Sequence, residues 1–76
     1  MESKMPEIGE LSVVAVIRDL PEHGLVRGQV GTVVDTWAPG VFEVEFVDNS
    51  VHTYALAALR SEDLLLLVHE PAHRAA

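Results

Sequence analysis

The stretch Ala38-Pro39-Gly40-Val41-Phe42-Glu43-Val44-Glu45-Phe46-Val47 decides the fold. Phe42, Val44 and Phe46 alternate with Glu43 and Glu45, the period-two pattern of a strand with one core face and one solvated face. Ala38-Pro39-Gly40 before it reads as a tight turn, with Pro at i+1 and Gly at i+2 as a type II turn requires. A strand is therefore expected on the other side, over Val30 to Trp37. Its parity is poor: Gly31, Val33, Asp35 and Trp37 share one face, and Val30, Thr32, Val34 and Thr36 the other. A bend or bulge at Gly31 would resolve that.

Working outward, Asp48-Asn49-Ser50 reads as the next turn, with Asn49 taking the left-handed region. A fourth strand is expected from Val51 to about Leu56. Ala57 to Asp63 suits a single 3₁₀ or α turn capped by Ser61, and Leu64 to Val68 a last strand. One alternative stays open, a helix over Ala55 to Val68, because Ala and Leu are good helix formers and no Gly or Pro interrupts the segment. On the N-terminal side, Leu11 to Arg18 is β-branched and strand-like. Leu11, Val13, Ala15 and Ile17 lie on one face, and Val14 and Val16 on a second apolar face that needs cover of its own. Asp19 to Gly28 is a loop, with Pro21 blocking ladder pairing and Gly24 and Gly28 supplying turn conformations. Residues 1–9 read as a flexible lead, 10–68 as the folded unit and 69–76 as a disordered tail.

Five short strands with closely spaced turn signals predict an all-β fold, a small five-stranded antiparallel barrel with a short 3₁₀ or helical turn before the last strand. Gly28-Gln29-Val30-Gly31-Thr32-Val33-Val34, the Pro-Gly turn, the aromatic-Glu-Val-Glu-Phe strand and the Leu-rich last strand resemble SH3-like barrels. The photosystem I small barrel subunit, the barrel chain of ferredoxin-thioredoxin reductase and the nitrile hydratase β-subunit barrel share that order. Asp19 to Leu25, Tyr54-Ala55-Leu56 and Leu59-Arg60 are similar to a family of short bacterial proteins carrying a domain of unknown function, over about Leu11 to Val68. The resemblance implies the barrel fold and a first loop used for contacts; it implies no activity.

Composition bounds the function. In 76 residues, 49% are hydrophobic, and 12 acidic against 5 basic side chains give a net charge of −7. With no cysteine, disulfides, thiolate metal sites and cysteine nucleophiles are excluded. No apolar run approaches the roughly 20 residues of a spanning helix, and Met1-Glu2-Ser3-Lys4 opens no secretory signal, so a cytoplasmic location is the default expectation. Lys4, Arg18, Arg27, Arg60 and Arg74 are scattered, which argues against nucleic acid, because that affinity is largely phosphate neutralisation. An acidic body suits a basic protein surface instead.

The candidate contact residues are Asp19, Leu20, Pro21, Glu22 and His23 in the first loop, the amphipathic aromatics Trp37 and Tyr54, and the acidic strand pair Glu43 and Glu45. Leu20, Pro21, Trp37 and Tyr54 would supply apolar area and the carboxylates a steering rim. Each has a plainer reading: a rigid loop with Leu20 tucked into the barrel end, core-edge aromatics and an ordinary solvated face. His69 and His73 are four apart, but Pro71 breaks the helix that would align them, so no metal site is expected. No catalytic residue and no cofactor site is expected either, since no nucleophile sits in an activating setting and so small a body leaves little room for a water-excluding pocket. The sequence thus points to a non-enzymatic protein-interaction module, a small partner, accessory or antitoxin-like regulator of another protein. A self-associating homo-oligomeric barrel is the second reading, and a nucleic-acid-binding barrel the third.

Overall fold

The computed structural model describes residues 7–68; the lead at 1–6 and the tail at 69–76 lie outside the described residues. Five strands, β1 (Val13–Val16), β2 (Val30–Ala38), β3 (Val41–Val47), β4 (Thr53–Arg60) and β5 (Leu64–Leu66), form one antiparallel sheet in the order β4-β3-β2-β1-β5. Among the described residues there is no α-helix; two single 3₁₀ turns, Pro21–His23 and Ser61–Asp63, complete the chain. The second of them stands immediately before the last strand, as expected. No ladder joins β4 to β5, so the sheet curls over its core without closing, and each of those strands has a free edge.

The core is what the alternation of β3 demands. Phe42, Val44 and Phe46 are buried, together with Val33 from β2, Ala57 and Leu59 from β4, and Leu64 from β5. Opposite them, β1 contributes Val14 and Val16, at 0% and 1% exposure. This corrects the face assignment: Val14 and Val16 point inward, while Leu11 and Ile17 are exposed and Val13 and Ala15 half-buried. The polar residues sharing the Val14 and Val16 face sit at the strand's ends with local roles, Ser12 accepting the Gly9 N–H and Arg18 pairing with Asp63. The end of the expected flexible lead is tied down too, with Ile8 packed against the core.

The Pro39-Gly40 turn joins β2 to β3, with Gly40 at φ 76°. Gly31 is not the bulge site. A Cβ there would lie 2.7 Å from Val44 Cγ1, 2.9 Å from the Glu45 carbonyl and 2.9 Å from Phe46 Cδ2, so glycine is required for strand contact. The irregularities come later, between Val33 and Asp35 and between Thr36 and Ala38. β4 also runs further than expected, from Thr53 to Arg60, and takes in Ala57 and Leu59, which were assigned to a turn. Pairing with β3, from Phe46↔Ala55 to Val41↔Arg60, overrides the helical preference of Ala and Leu. The open helix alternative is thereby removed, and Ser61 caps nothing. In the β3–β4 connection the left-handed residue is Val51, at φ 64°, rather than Asn49. Asp48 Oδ1 accepts the N–H groups of both Ser50 and His52, which winds the loop tightly enough to leave Val51 in that conformation.

Candidate contact face

β3 sends Glu43 and Glu45 to the face opposite Phe42, Val44 and Phe46. Register places Asp35 and Ala58 on either side of Glu43, and Thr32 and Leu56 on either side of Glu45. The outer face of the sheet therefore carries a row Asp35–Glu43–Ala58 beside a row Thr32–Glu45–Leu56. Trp37 belongs to this face and is 65% exposed. Its indole Nε1–H donates to Glu43 Oε1 at 2.5 Å, a charge-assisted bond that fixes the ring over the strand. Glu45 Oε2 accepts from Thr53 Oγ1 at 2.6 Å. Each glutamate keeps a second oxygen directed to solvent.

The bulges of β2 create this arrangement. In an unbroken two-residue hairpin Trp37 would oppose Phe42 and turn its indole toward the core. The inserted residue instead pairs Thr36 with Phe42 and Asp35 with Glu43. The acidic strand pair and one aromatic thus come together, joined by Asp35, which the sequence did not single out. Plain alternation could not reveal it, because it places Asp35 on the same face as Val33.

Tyr54 stands elsewhere. It is the extra residue where β4 shifts register, between the pairs Phe46↔Ala55 and Val47↔Thr53. Its ring leans on Phe46, with centroids 6.1 Å apart at 44°, and its hydroxyl accepts a bond from Gln29 Nε2 at 3.3 Å. Phe46 lies three residues, roughly 10 Å, along β3 from Glu43 and on the other face. The two aromatics therefore do not form one patch, and the core-edge reading fits Tyr54.

The first loop is separate again. Leu20 is 1% exposed and bridges to Leu25, so it fills the end of the core and adds nothing to a surface patch. Pro21, Glu22 and His23 form the exposed 3₁₀ turn, ended by Gly24 at φ 69°. Asp19 Oδ1 accepts the Arg27 N–H at 2.9 Å and so braces the loop across its base. Between this loop and the end of β4 runs a cleft of about 220 Å³, walled by Arg18, Leu20, Glu22 and His23 on one side and by Ala58, Leu59, Arg60, Glu62 and Asp63 on the other. Its strongest internal contact is Arg18 Nε–H to Asp63 Oδ1 at 2.8 Å. Arg60 and Glu62 approach only to 3.8 Å, both well exposed. The cleft holds acids, bases and a histidine but no nucleophile set against a base. Among the described residues no group of three or more His, Asp or Glu could hold a metal ion. None of their helices is long and apolar enough to cross a membrane.

Comparison with known proteins adds the family and nothing on activity. Residues 10–66 match the family described as a domain of unknown function, DUF4926, and at that coverage the chain belongs to it. No match was found among curated proteins or among solved structures.

Proposed function

We propose that this DUF4926 domain is a non-enzymatic protein-interaction module, the small partner or accessory regulator of another protein, and that it binds through the outer face of β2 and β3. The observation that carries this reading is Trp37. A side chain that ordinarily buries a large apolar area is 65% exposed, yet it is held rigid by its bond to Glu43. A rigid, exposed indole loses little conformational freedom on binding, and Trp is among the residue types that dominate interface energetics. Glu43, Glu45 and Asp35 surround it with carboxylates, which favours a basic partner and speeds its approach. An antitoxin-like role beside a larger basic protein in a bacterial cell is one form of this reading.

Affinity purification of the tagged chain from its own cells, compared with a Trp37→Ala variant, tests it. The intact chain should recover one protein in stoichiometric amount, and the variant should lose at least about tenfold of it, the usual effect of removing an interface anchor. Recovery of the chain alone, or of the same protein in equal amount with both versions, would count against the reading. Self-association is the second reading, favoured by the open ladder between β4 and β5.

A further inference from the structure

The free edge of β4 has a definite chemistry. Ser61 N–H donates to the Gly40 carbonyl at 2.8 Å, which makes Gly40 and Ser61 a hydrogen-bonded pair. Antiparallel ladders alternate such pairs with non-bonded ones. Val41↔Arg60, Glu43↔Ala58 and Glu45↔Leu56 are therefore the non-bonded pairs. The N–H and C=O groups of Leu56, Ala58 and Arg60 accordingly point away from β3, toward an edge that no described strand occupies. The side chains of the same residues lie on the outer face, where Leu56 is 59% exposed. Natural edges of this length usually carry a charge, a proline or a cover. This one carries a single charge, at its end.

From these positions the geometry points to β4 as a strand-addition site for an extended, basic segment of a partner protein, with Lys or Arg at the alternate positions opposite Ala58 and Leu56. This rests on the interaction reading above and specifies its mode. A residue paired with Ala58 would project onto the outer face in line with Ala58, Glu43 and Asp35. Strands repeat at roughly 4.8 Å, which puts Glu43 about 10 Å away across nothing larger than the Ala58 methyl. An extended Lys or Arg spans that gap toward the glutamate reaching back. The residue paired with Leu56 has the same relation to Glu45. Backbone pairing would supply affinity, and the two carboxylates would select the basic side chains.

A second copy of the chain fits this edge less well. Antiparallel pairing of β4 with itself about Ala58 sets alanine against alanine and leaves Glu43 and Asp35 of both copies without a cation. It also brings together two bodies of charge −7.

The test uses the full chain, isotope-labelled, and two capped heptapeptides, one alternating valine with lysine and the other valine with glutamate. On titration with the lysine peptide, the Leu56, Ala58 and Arg60 amides should slow in hydrogen exchange by about tenfold or more. The glutamate peptide should leave them unchanged. Glu43→Gln and Glu45→Gln should each weaken the lysine peptide by about threefold, the scale of an exposed ion pair. Ala58→Pro removes an outward N–H and should abolish protection; retained amide dispersion shows that this variant is folded, and the glutamine variants carry the test if it is not. Equal response to both peptides, no binding to either, or edge protection that rises with protein concentration alone overturns the proposal. Shifts confined to Trp37, Asp35 and Glu43 without edge protection also overturn strand addition, while leaving the contact-face reading in place.

Discussion

Gly31 and Val51 show how a single residue can be misread when only its type is known. Glycine in a strand suggests a bulge, and Gly31 was expected to provide one. Its constraint is instead the three atoms of β3 that a Cβ would meet below 3 Å. Two of the three belong to the buried side chains of Val44 and Phe46, and the third is backbone, so the neighbours have little freedom to yield. Gly31→Ala should therefore cost about 1–3 kcal/mol, the scale of overpacking in a dense core, read as a lowered denaturant midpoint at unchanged slope. Val51 presents the opposite case. It is β-branched, 79% exposed and at φ 64°, a conformation that costs a β-carbon residue roughly 1–2 kcal/mol. Val51→Asn should raise stability by about 0.5–1 kcal/mol, since asparagine tolerates that region and no packing is lost. An unchanged or lower midpoint would mean that the loop relaxes differently. The turn itself was legible in Asp48-Asn49-Ser50. Which residue takes the left-handed position was not, because that is set by the two hydrogen bonds Asp48 accepts.

Among the elements, β3 was legible because it contains no insertion and both its faces are chemically pure. β2 was legible as a strand but not as a pair of faces. Each bulge reverses the alternation beyond it, and no residue there announces the insertion. That reversal is why the contact of Trp37 with Glu43 could not be foreseen, although both had been chosen separately. β4 was cut short at Leu56 because Ala and Leu do not distinguish strand from helix without the β3 register. The turn before β5 depends on one long-range pair. Asp63 is 8% exposed and has Arg18, 45 residues away, as its side-chain partner. The Ile17 N–H also donates to the Asp63 carbonyl at 3.0 Å, so this pair fastens β5 to the end of β1. Arg18→Met would leave a largely desolvated carboxylate without its donor, at a cost of about 1–3 kcal/mol. Because β5 has only three residues, the loss should appear first as faster exchange of the Leu64 to Leu66 amides. Equal loss across all strands would show that the pair stabilises the fold globally rather than this element.

At the scale of the whole molecule, the excess of apolar residues and the excess of negative charge bear on one another. The sheet has one buried face, so much apolar area remains outside: Val30, Val34, Trp37, Leu56 and Leu65 are all exposed. An open eight-residue edge adjoins it in β4. A neutral body with that surface would be prone to edge pairing and association. The net charge of −7 opposes this by repulsion between copies. Repulsion of that kind depends on pH in a definite direction. Above the isoelectric point near 4.8 the carboxylates are ionised and copies repel; as pH falls toward it, the charge vanishes while the apolar face and the edge are unchanged. Sedimentation velocity should therefore give a monomer near pH 7.5 at micromolar concentration, and a weight-average mass that rises as pH is lowered toward 5. Added salt at pH 7.5 should move the equilibrium the same way, through screening with a length of roughly 8–10 Å. Glu43→Gln with Glu45→Gln removes two charges from the contact face itself, so that variant should associate at higher pH than the unaltered chain. If instead the chain is a stable dimer at pH 7.5 and does not respond to salt, charge is not what keeps the edge free. The outer face would then belong to a homodimer rather than to a basic partner.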